Sequence, residues 1–392
     1  MDRRDFSKMV GAGALYASVG GRLRDASAAS TSAPAAKSQT PGKIDRKHRK
    51  EWAKEHFKGF ENVLMPSFSP DLKTLDEEGI RLDVRKSIEH GFFSTLVAGI
   101  STTLEENKRF IDIAVDEAKG KMSVAFALPH SGSEADSMAL IQHAEKAGAQ
   151  HFLLDLPSKG SQEELYKIGL KYSEATNMGI YLWMAGKHNF KRFSPAKIPY
   201  EAFDKLADLP NIIAVKVGDF DPAMLFELFQ RYNSRMLIGA LWLNIMPMAI
   251  RLYGQQWSGA WTVEALQSPE KPYATDFFRL MSAGKYDEGM KLYWRYLAPA
   301  FGAMVARVGP LMASGGHPWE QLKLYQFATG GNGGRMRVDP DFPNLPPVTA
   351  QDIDGFKNLL RTIDIKPDDA PDEAFHVGRT NYAKGVRQKD LK

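Results

Sequence analysis

The chain of 392 residues contains no cysteine. That absence excludes a thiolate nucleophile, a cysteine-ligated zinc site, an iron–sulfur cluster and any disulfide, because each requires a Cys sulfur. Chemistry must come from Lys, His, Tyr, Ser, Thr or carboxylates. Long apolar runs are also scarce: beyond the N-terminus, no segment approaches the roughly 20 apolar residues that cross a bilayer. A strong excess of one charge is missing as well. The formal net charge is only +4, and no basic stripe of the kind that marks a nucleic-acid footprint runs through the central chain. No His-based ligand motif marks a preformed metal site, so neither a metal nor another cofactor is expected.

The N-terminus carries what looks like an address. Residues 2–8, Asp-Arg-Arg-Asp-Phe-Ser-Lys, precede a run of small and apolar residues from Met9 to Gly21, then Arg22, Arg24 and Ala26-Ser-Ala28. Arginine pair, Phe, Lys, short apolar run and small-residue cleavage site in this order have the form of a twin-arginine export signal. The run is too short and too rich in Gly and Ala for a stable anchor. Cleavage after Ala28, use of the twin-arginine machinery and a periplasmic or secreted location are therefore expected. Loss of residues 1–28 removes five basic and three acidic residues and leaves a net charge of +2. The remaining basic excess gathers at 43–58 and in Arg379, Lys384, Arg387, Lys389 and Lys392.

The pattern beyond the leader divides into a linker and charged segment at 29–59, a core at 60–285, C-terminal helices at 286–365 and a tail at 366–392. Within the core, short apolar runs alternate with segments of helical period. Strands are expected at 61–65, 93–98, 122–127, 151–155, 179–184, 212–216, 236–240 and 257–263. Helices are expected at about 76–90, 103–119, 133–148, 161–176, 199–208, 221–233, 243–253 and 272–283. Eight such units fit a (β/α)8 TIM barrel with a C-terminal helical extension. A doubly wound sheet fits less well, because Pro66-Ser67-Phe68-Ser69-Pro70 follows the first strand where that fold places a Gly-rich phosphate turn. Gly330-Gly-Asn-Gly-Gly334 lacks a Lys-Ser/Thr ending and reads as a flexible turn.

An active site in such a barrel forms at the C-terminal ends of the strands. Lys216 ends the apolar run Asn211-Ile-Ile-Ala-Val-Lys216. An amine desolvated there has a lowered pKa and can attack a carbonyl to form an imine, an electron sink for making or breaking a carbon–carbon bond. Pairing with Asp219 or Asp221 is the competing reading, and the pattern by itself leaves the two open.

The chain resembles the dihydrodipicolinate synthase and N-acetylneuraminate lyase family of class I aldolases from about Phe60 to Arg361. The landmarks are Leu64-Met-Pro66-Ser-Phe68 with Asp76-Glu-Glu, Phe92-Phe-Ser-Thr-Leu-Val-Ala-Gly99, Ala144-Glu-Lys-Ala-Gly148, Pro210-Asn-Ile-Ile-Ala-Val-Lys216 and Gly331-Asn-Gly-Gly-Arg335-Met-Arg337. The resemblance implies a TIM barrel, lyase chemistry on a small carbonyl or 2-oxo acid substrate, and an imine-forming role for Lys216.

Departures from the family pattern accompany it. The carboxylate-binding Gly-Thr-Thr-Gly-Glu loop is replaced by Gly99-Ile-Ser101-Thr102-Thr103, where Ser101 and Thr102 are the substrate-binding candidates, although Thr103-Leu-Glu-Glu106 also reads as a capping box. Trp183 stands at the position of the relay tyrosine and is a candidate for the substrate wall, and Tyr181, one layer deeper on the same face of the strand, is a catalytic candidate that takes over the relay in a deeper pocket. The tyrosine pair after the fourth strand is absent, which leaves the implied homo-oligomer open. His130 is the best-placed replacement acid/base. Glu264 is a candidate counter-charge for a cationic imine, and His188 and Trp242 are candidates for the substrate wall. Trp261 is a further candidate there, and Asp155 ends the fourth strand. The expectation is an exported Schiff-base lyase; a non-catalytic binding barrel and a hydratase using Lys216 as base are the alternatives.

Overall fold

The structure, a computed structural model, describes residues 44–128, 132–219, 221–260, 263–313, 317–340 and 342–391. The leader, His130 and Trp261 lie outside the described residues. Eight parallel strands follow the expected order: β1 (Gly59–Leu64), β2 (Ser94–Val97), β3 (Ser123–Ala127), β4 (His151–Asp155), β5 (Gly179–Met184), β6 (Ile212–Val217), β7 (Leu237–Ala240) and β8 (Trp257–Ser258). From β1 to β7 each strand pairs with its sequence neighbour, and β8 pairs with β1 through Gly59 opposite Trp257 and Phe60 opposite Ser258. Between β7 and β8 the link is made by side chains: Ser258 Oγ donates to the Ala240 carbonyl at 2.8 Å and Gln255 Nε2 donates to it at 3.1 Å. The result is a nearly closed (β/α)8 barrel.

The helices that wrap it begin with α1 (Arg49–His56) ahead of β1. Then come α2 (Glu77–Glu89), α3 (Leu104–Ala118), α4 (Glu134–Ala147), α5 (Gln162–Glu174), α6 (Tyr200–Leu206), α7 (Pro222–Tyr232), α8 (Met246–Tyr253) and α9 (Tyr273–Ser282). Their starts are written locally. Thr103 with Glu106, Ser133 with Asp136 and Ser161 with Glu164 form reciprocal capping boxes, while Asp76 and Asp221 cap α2 and α7. Each cap satisfies amide N–H groups that the first helical turn leaves without partners.

Five expectations change. The charged segment before the barrel is structural: α1 packs across the N-terminal end of the barrel. Arg49, Trp52 and Ala53 are buried there, and Phe57 lies against His151 and Trp257 at ring separations of 4.7 and 5.2 Å. Strand β8 stops after two residues because Gly259 and Ala260 leave the ladder. The first of the expected C-terminal helices is divided into α10 (Tyr286–Leu292), one π-helical turn (Tyr293–Leu297) and α11 (Ala298–Ala313).

The C-terminal tail is also folded. After α12 (Trp319–Ala328) and α13 (Ala350–Thr362), short helices α14 (Asp372–Val377) and α15 (Arg379–Ala383) dock on the barrel. Thr380 Oγ1 donates to Asp76 Oδ2 at 2.6 Å, and Arg379 pairs with Asp368 at 3.0 Å. The Gly-rich stretch before Arg335 is pinned rather than free. Asn332, 1% exposed, donates its backbone N–H to Asp83 Oδ1 and its amide to Ser67 Oγ.

Candidate active site

Strand register sets the levels of the barrel interior. Lys216 on β6 is level with Trp183 on β5 and Gly239 on β7, and Tyr181 is level with Leu153 and Ala214 one layer below. Lys216 is only 4% exposed, and its Nζ lies 5.7 Å from the centre of the Trp183 ring, within cation–π range. Space for the amine comes from Gly259: a Cβ built there would meet Lys216 Cε at 2.8 Å and Nζ at 2.9 Å. Gly218 serves the tryptophan in the same way, since a Cβ there would meet Trp183 at 2.2 Å.

The competing reading of Lys216 as an ion-pair lysine depended on Asp219 and Asp221. Both are taken by Lys197, at 3.4 and 3.2 Å. Among the described residues, Lys216 has no carboxylate within salt-bridge distance. Burial pushes its amine below the ordinary lysine pKa, opposed by the negative charge of Glu61. A desolvated amine with a depressed pKa has a larger neutral, nucleophilic fraction near pH 7 than a surface lysine.

Below Lys216 lies a cluster that the sequence reading passed over. Glu61 of β1 accepts from Tyr181 OH of β5 at 2.9 Å on one carboxylate oxygen and faces His151 Nε2 of β4 at 3.1 Å on the other. All three are fully buried. Because β1 and β5 are not neighbours in the sheet, this contact crosses the barrel interior. Burial pushes the Glu61 carboxyl up, but the hydrogen bond and charge of His151, the charge of Lys216 and the Tyr181 hydroxyl outweigh it and hold Glu61 below the usual carboxylate value. Burial lowers His151 despite Glu61, and burial with Glu61 beside it raises Tyr181 well above the ordinary phenol value. The electrostatics therefore favour an anionic carboxylate and a protonated phenol, with burial acting against a charge on the imidazole. The available signal was a carboxylate and an imidazole at the first inward positions of two apolar strands, which alternation directs into the barrel.

The remaining candidates separate into three places. Trp183 stands beside Lys216. Trp242 follows β7, is 6% exposed, and donates Nε1 to the Gly218 carbonyl at 3.1 Å, so its indole braces the ends of β6 and β7. At the rim, His188 is buried with Nε2 against Asp155 Oδ1, and Lys187 contacts Asp155 Oδ2 at 2.5 Å. The hydroxyls of Ser101 and Thr102 are committed elsewhere, to the Val338 carbonyl at 2.9 Å and the Gly99 carbonyl at 2.8 Å. Thr103 and Glu106 build the capping box, and Glu106 is also held by Arg337 at 2.7 Å, so the helix start already faces a carboxylate of its own chain.

Glu264 does not face the amine. Its Oε1 accepts from Asn62 Nδ2 at 2.7 Å and Gln326 Nε2 at 3.1 Å. Asn62 lies on the outward side of β1, next in chain to the inward Glu61, so parity of the strand places Glu264 behind the wall. It lines a cavity of about 10 Å³, room for one water, with Asp83, Lys86, Ser87, His90 and Gln326. Burial pushes Glu264 up to about 7 and Asp83 up to about 6.

Fold and site together define a (β/α)8 barrel with a buried lysine at the end of its sixth strand that, among the described residues, has no ion-pair partner. Residues 56–249 match the sequence profile of the Dihydrodipicolinate synthetase family. The 4-hydroxy-tetrahydrodipicolinate synthase of Methanopyrus kandleri is 28% identical over 259 residues, covering 64% of this chain and 82% of that protein. That of Phenylobacterium zucineum is 26% identical over 231 residues, covering 56% and 73%. Among solved structures, N-acetylneuraminate lyase from Fusobacterium nucleatum complexed with pyruvate superposes with a TM-score of 0.58 at 18% identity, over 79% of this chain and 97% of that one. Dihydrodipicolinate synthase from Aquifex aeolicus gives 0.60 at 14% identity, over 80% and 100%. At these identities the structural likeness concerns the fold.

Proposed function

We propose that the protein is an exported lyase of the class I aldolase type. Lys216 forms a Schiff base with a 2-oxo acid or related small carbonyl compound, and a carbon–carbon bond is then cleaved or formed. The neutral amine attacks the carbonyl carbon, the carbinolamine loses water, and the protonated imine withdraws electrons from the adjacent carbon. The observation that carries this reading is the Lys216 amine itself: desolvated, directed into the barrel at the catalytic end, and without an ion-pair partner among the described residues while Lys197 holds the nearby aspartates. The match to a family of synthases supports the same chemistry. Trp183, which has no titratable group, stands where the relay tyrosine is expected, so proton transfer to substrate falls to other groups. His130 and the His188–Asp155 pair are the candidates.

The test is incubation with pyruvate and a panel of other 2-oxo acids in the presence of borohydride, followed by mass mapping. An irreversible adduct on the peptide containing Lys216, lost in Lys216→Ala, is the expected result. Absence of any adduct across the panel refutes the Schiff-base mechanism and returns the protein to a binding barrel or to base chemistry at Lys216. Export is tested separately by fusing residues 1–28 to a reporter that folds before transport. Replacing Arg3 and Arg4 by Lys should abolish its appearance outside the cytoplasm.

A further inference from the structure

We infer that Glu61 is the built-in counter-ion of Lys216, an anion fixed one layer below the amine that sets the pH range over which the lysine reacts. As a statement about the imine, this rests on the function proposed above; as a statement about the lysine's charge, it stands independently. The geometry is specific. Glu61 is fully buried, yet each of its oxygens has its own partner, Tyr181 OH at 2.9 Å and His151 Nε2 at 3.1 Å. With its oxygens engaged, the carboxylate is restrained from swinging up to form a direct bond with the lysine, and the two remain beyond salt-bridge distance. The cluster is itself clamped. Phe57, Trp52 and Trp257 pack around His151 and Tyr181 at ring separations of 4.7 to 5.9 Å, sealing that end of the barrel from water.

A fixed negative charge in a dry interior acts over several ångströms with little screening. Among the described residues, the aspartates at the neighbouring strand ends are engaged. Asp155 on β4 is held by His188 and Lys187, and Asp219 beyond β6 is held by Lys197. Trp183 from β5, and Gly239 and Gly259 from the β7 and β8 side, bring no charge. Arg49 of α1 acts on the cluster from below, through His151. Glu61 therefore opposes the desolvation of Lys216, and would stabilise a cationic iminium formed on it in the same way. The arrangement leaves the carboxylate as a positioning residue that acts through the lysine and need not touch substrate. It supplies from the barrel interior the negative charge for which Glu264, behind the wall, is misplaced.

The experiment reads the lysine directly. Competitive labelling with acetic anhydride across pH 6 to 11, with mass mapping of the Lys216 peptide, gives the amine's titration midpoint without any substrate. In Glu61→Gln, the midpoint should fall by about one pH unit or more, the effect of removing one buried charge, while Glu61→Asp should restore most of it. In parallel, the pH profile of pyruvate trapping by cyanoborohydride, which reduces the protonated imine, should move in the same direction. An unchanged labelling midpoint in a folded Glu61→Gln protein overturns the inference. A shifted midpoint with no adduct from pyruvate or any other 2-oxo acid of the panel upholds the counter-ion and refutes the Schiff-base reading. Should Glu61→Gln fail to fold, Tyr181→Phe removes one of the two groups that hold the charge. A smaller shift of the same sign then supports the inference, and no shift overturns it.

Discussion

Replacing Glu264 by Gln should stabilise the protein above neutral pH. The carboxyl is 3% exposed and burial raises its pKa from 4.5 to about 7, against the hydrogen bonds from Asn62 and Gln326. Between those two values the folded state holds a proton that the unfolded chain has released, so stability falls as pH rises through that window. At about 1.4 kcal/mol per pKa unit, the group costs about 3 kcal/mol of stability once the pH is above 7. Gln keeps the acceptor for Asn62 and Gln326 and adds two donors. The donors enter a site where Asn62 Oδ1, Gln326 Oε1 and Asp83 Oδ2 have no hydrogen-bond partner. The charge repelled by Asp83 is also gone. Urea unfolding followed by circular dichroism should show Glu264→Gln and the parent within about 0.5 kcal/mol of each other at pH 4.5, and the variant more stable by about 2–3 kcal/mol at pH 8. A variant no more stable at pH 8 would refute the reasoning, because it would mean that the cluster holds the Glu264 anion at no cost.

Three further perturbations address the barrel's two ends. Phe57→Ala removes the fully buried ring that closes the N-terminal end against His151 and Trp257; a loss of about 3–5 kcal/mol is expected by the same unfolding measurement. Gly259→Ala places a methyl within 2.9 Å of Lys216 Nζ. The folded variant should lose at least about tenfold in the rate of imine trapping, equivalent to 1.4 kcal/mol in the barrier, with no comparable change in secondary structure. Arg337→Ala breaks the bidentate bond to Glu106 and the bonds to the carbonyls of Leu72, Lys73 and Ser101. Hydrogen exchange should accelerate in residues 69–74 and 99–103, with protection in β4 to β6 unchanged.

The units of the barrel were legible because each is marked by its own neighbours. Helix α3 starts where Thr103 and Glu106 are three residues apart, and α7 starts at Asp221-Pro222. Lys216 could be placed at the end of β6 because one amine follows an apolar run. The segments at the ends of the chain were harder. Residues 49–56 look like a solvated helix by charge, yet Arg49 is 5% exposed, donating to the Asn177 carbonyl, and Trp52 stacks toward His151. The surface they cover exists only after the barrel has closed. The tail 366–392 looks unstructured for the same reason: Arg379 and Thr380 find Asp368, Asn332 and Asp76, and the last of these is about 300 residues away in sequence.

By itself the sequence determined the number and order of the strand–helix units, the caps that start them and the residue poised at the end of the sixth strand. Those features depend on spacings of two to four residues, and such spacings are fixed before any tertiary contact forms. Tertiary structure decided which charges meet. Lys197 takes Asp219 and Asp221 and so leaves Lys216 without an ion-pair partner among the described residues. Glu61 and its partners His151 and Tyr181, 90 and 120 residues from it along the chain, converge beneath the lysine. Glu264 is directed behind the wall, to Asn62 and away from the amine. Closure of the sheet sets these partners, because it fixes the parity and level of every inward side chain at once, and in a dry interior the presence or absence of one fixed charge decides how the lysine behaves.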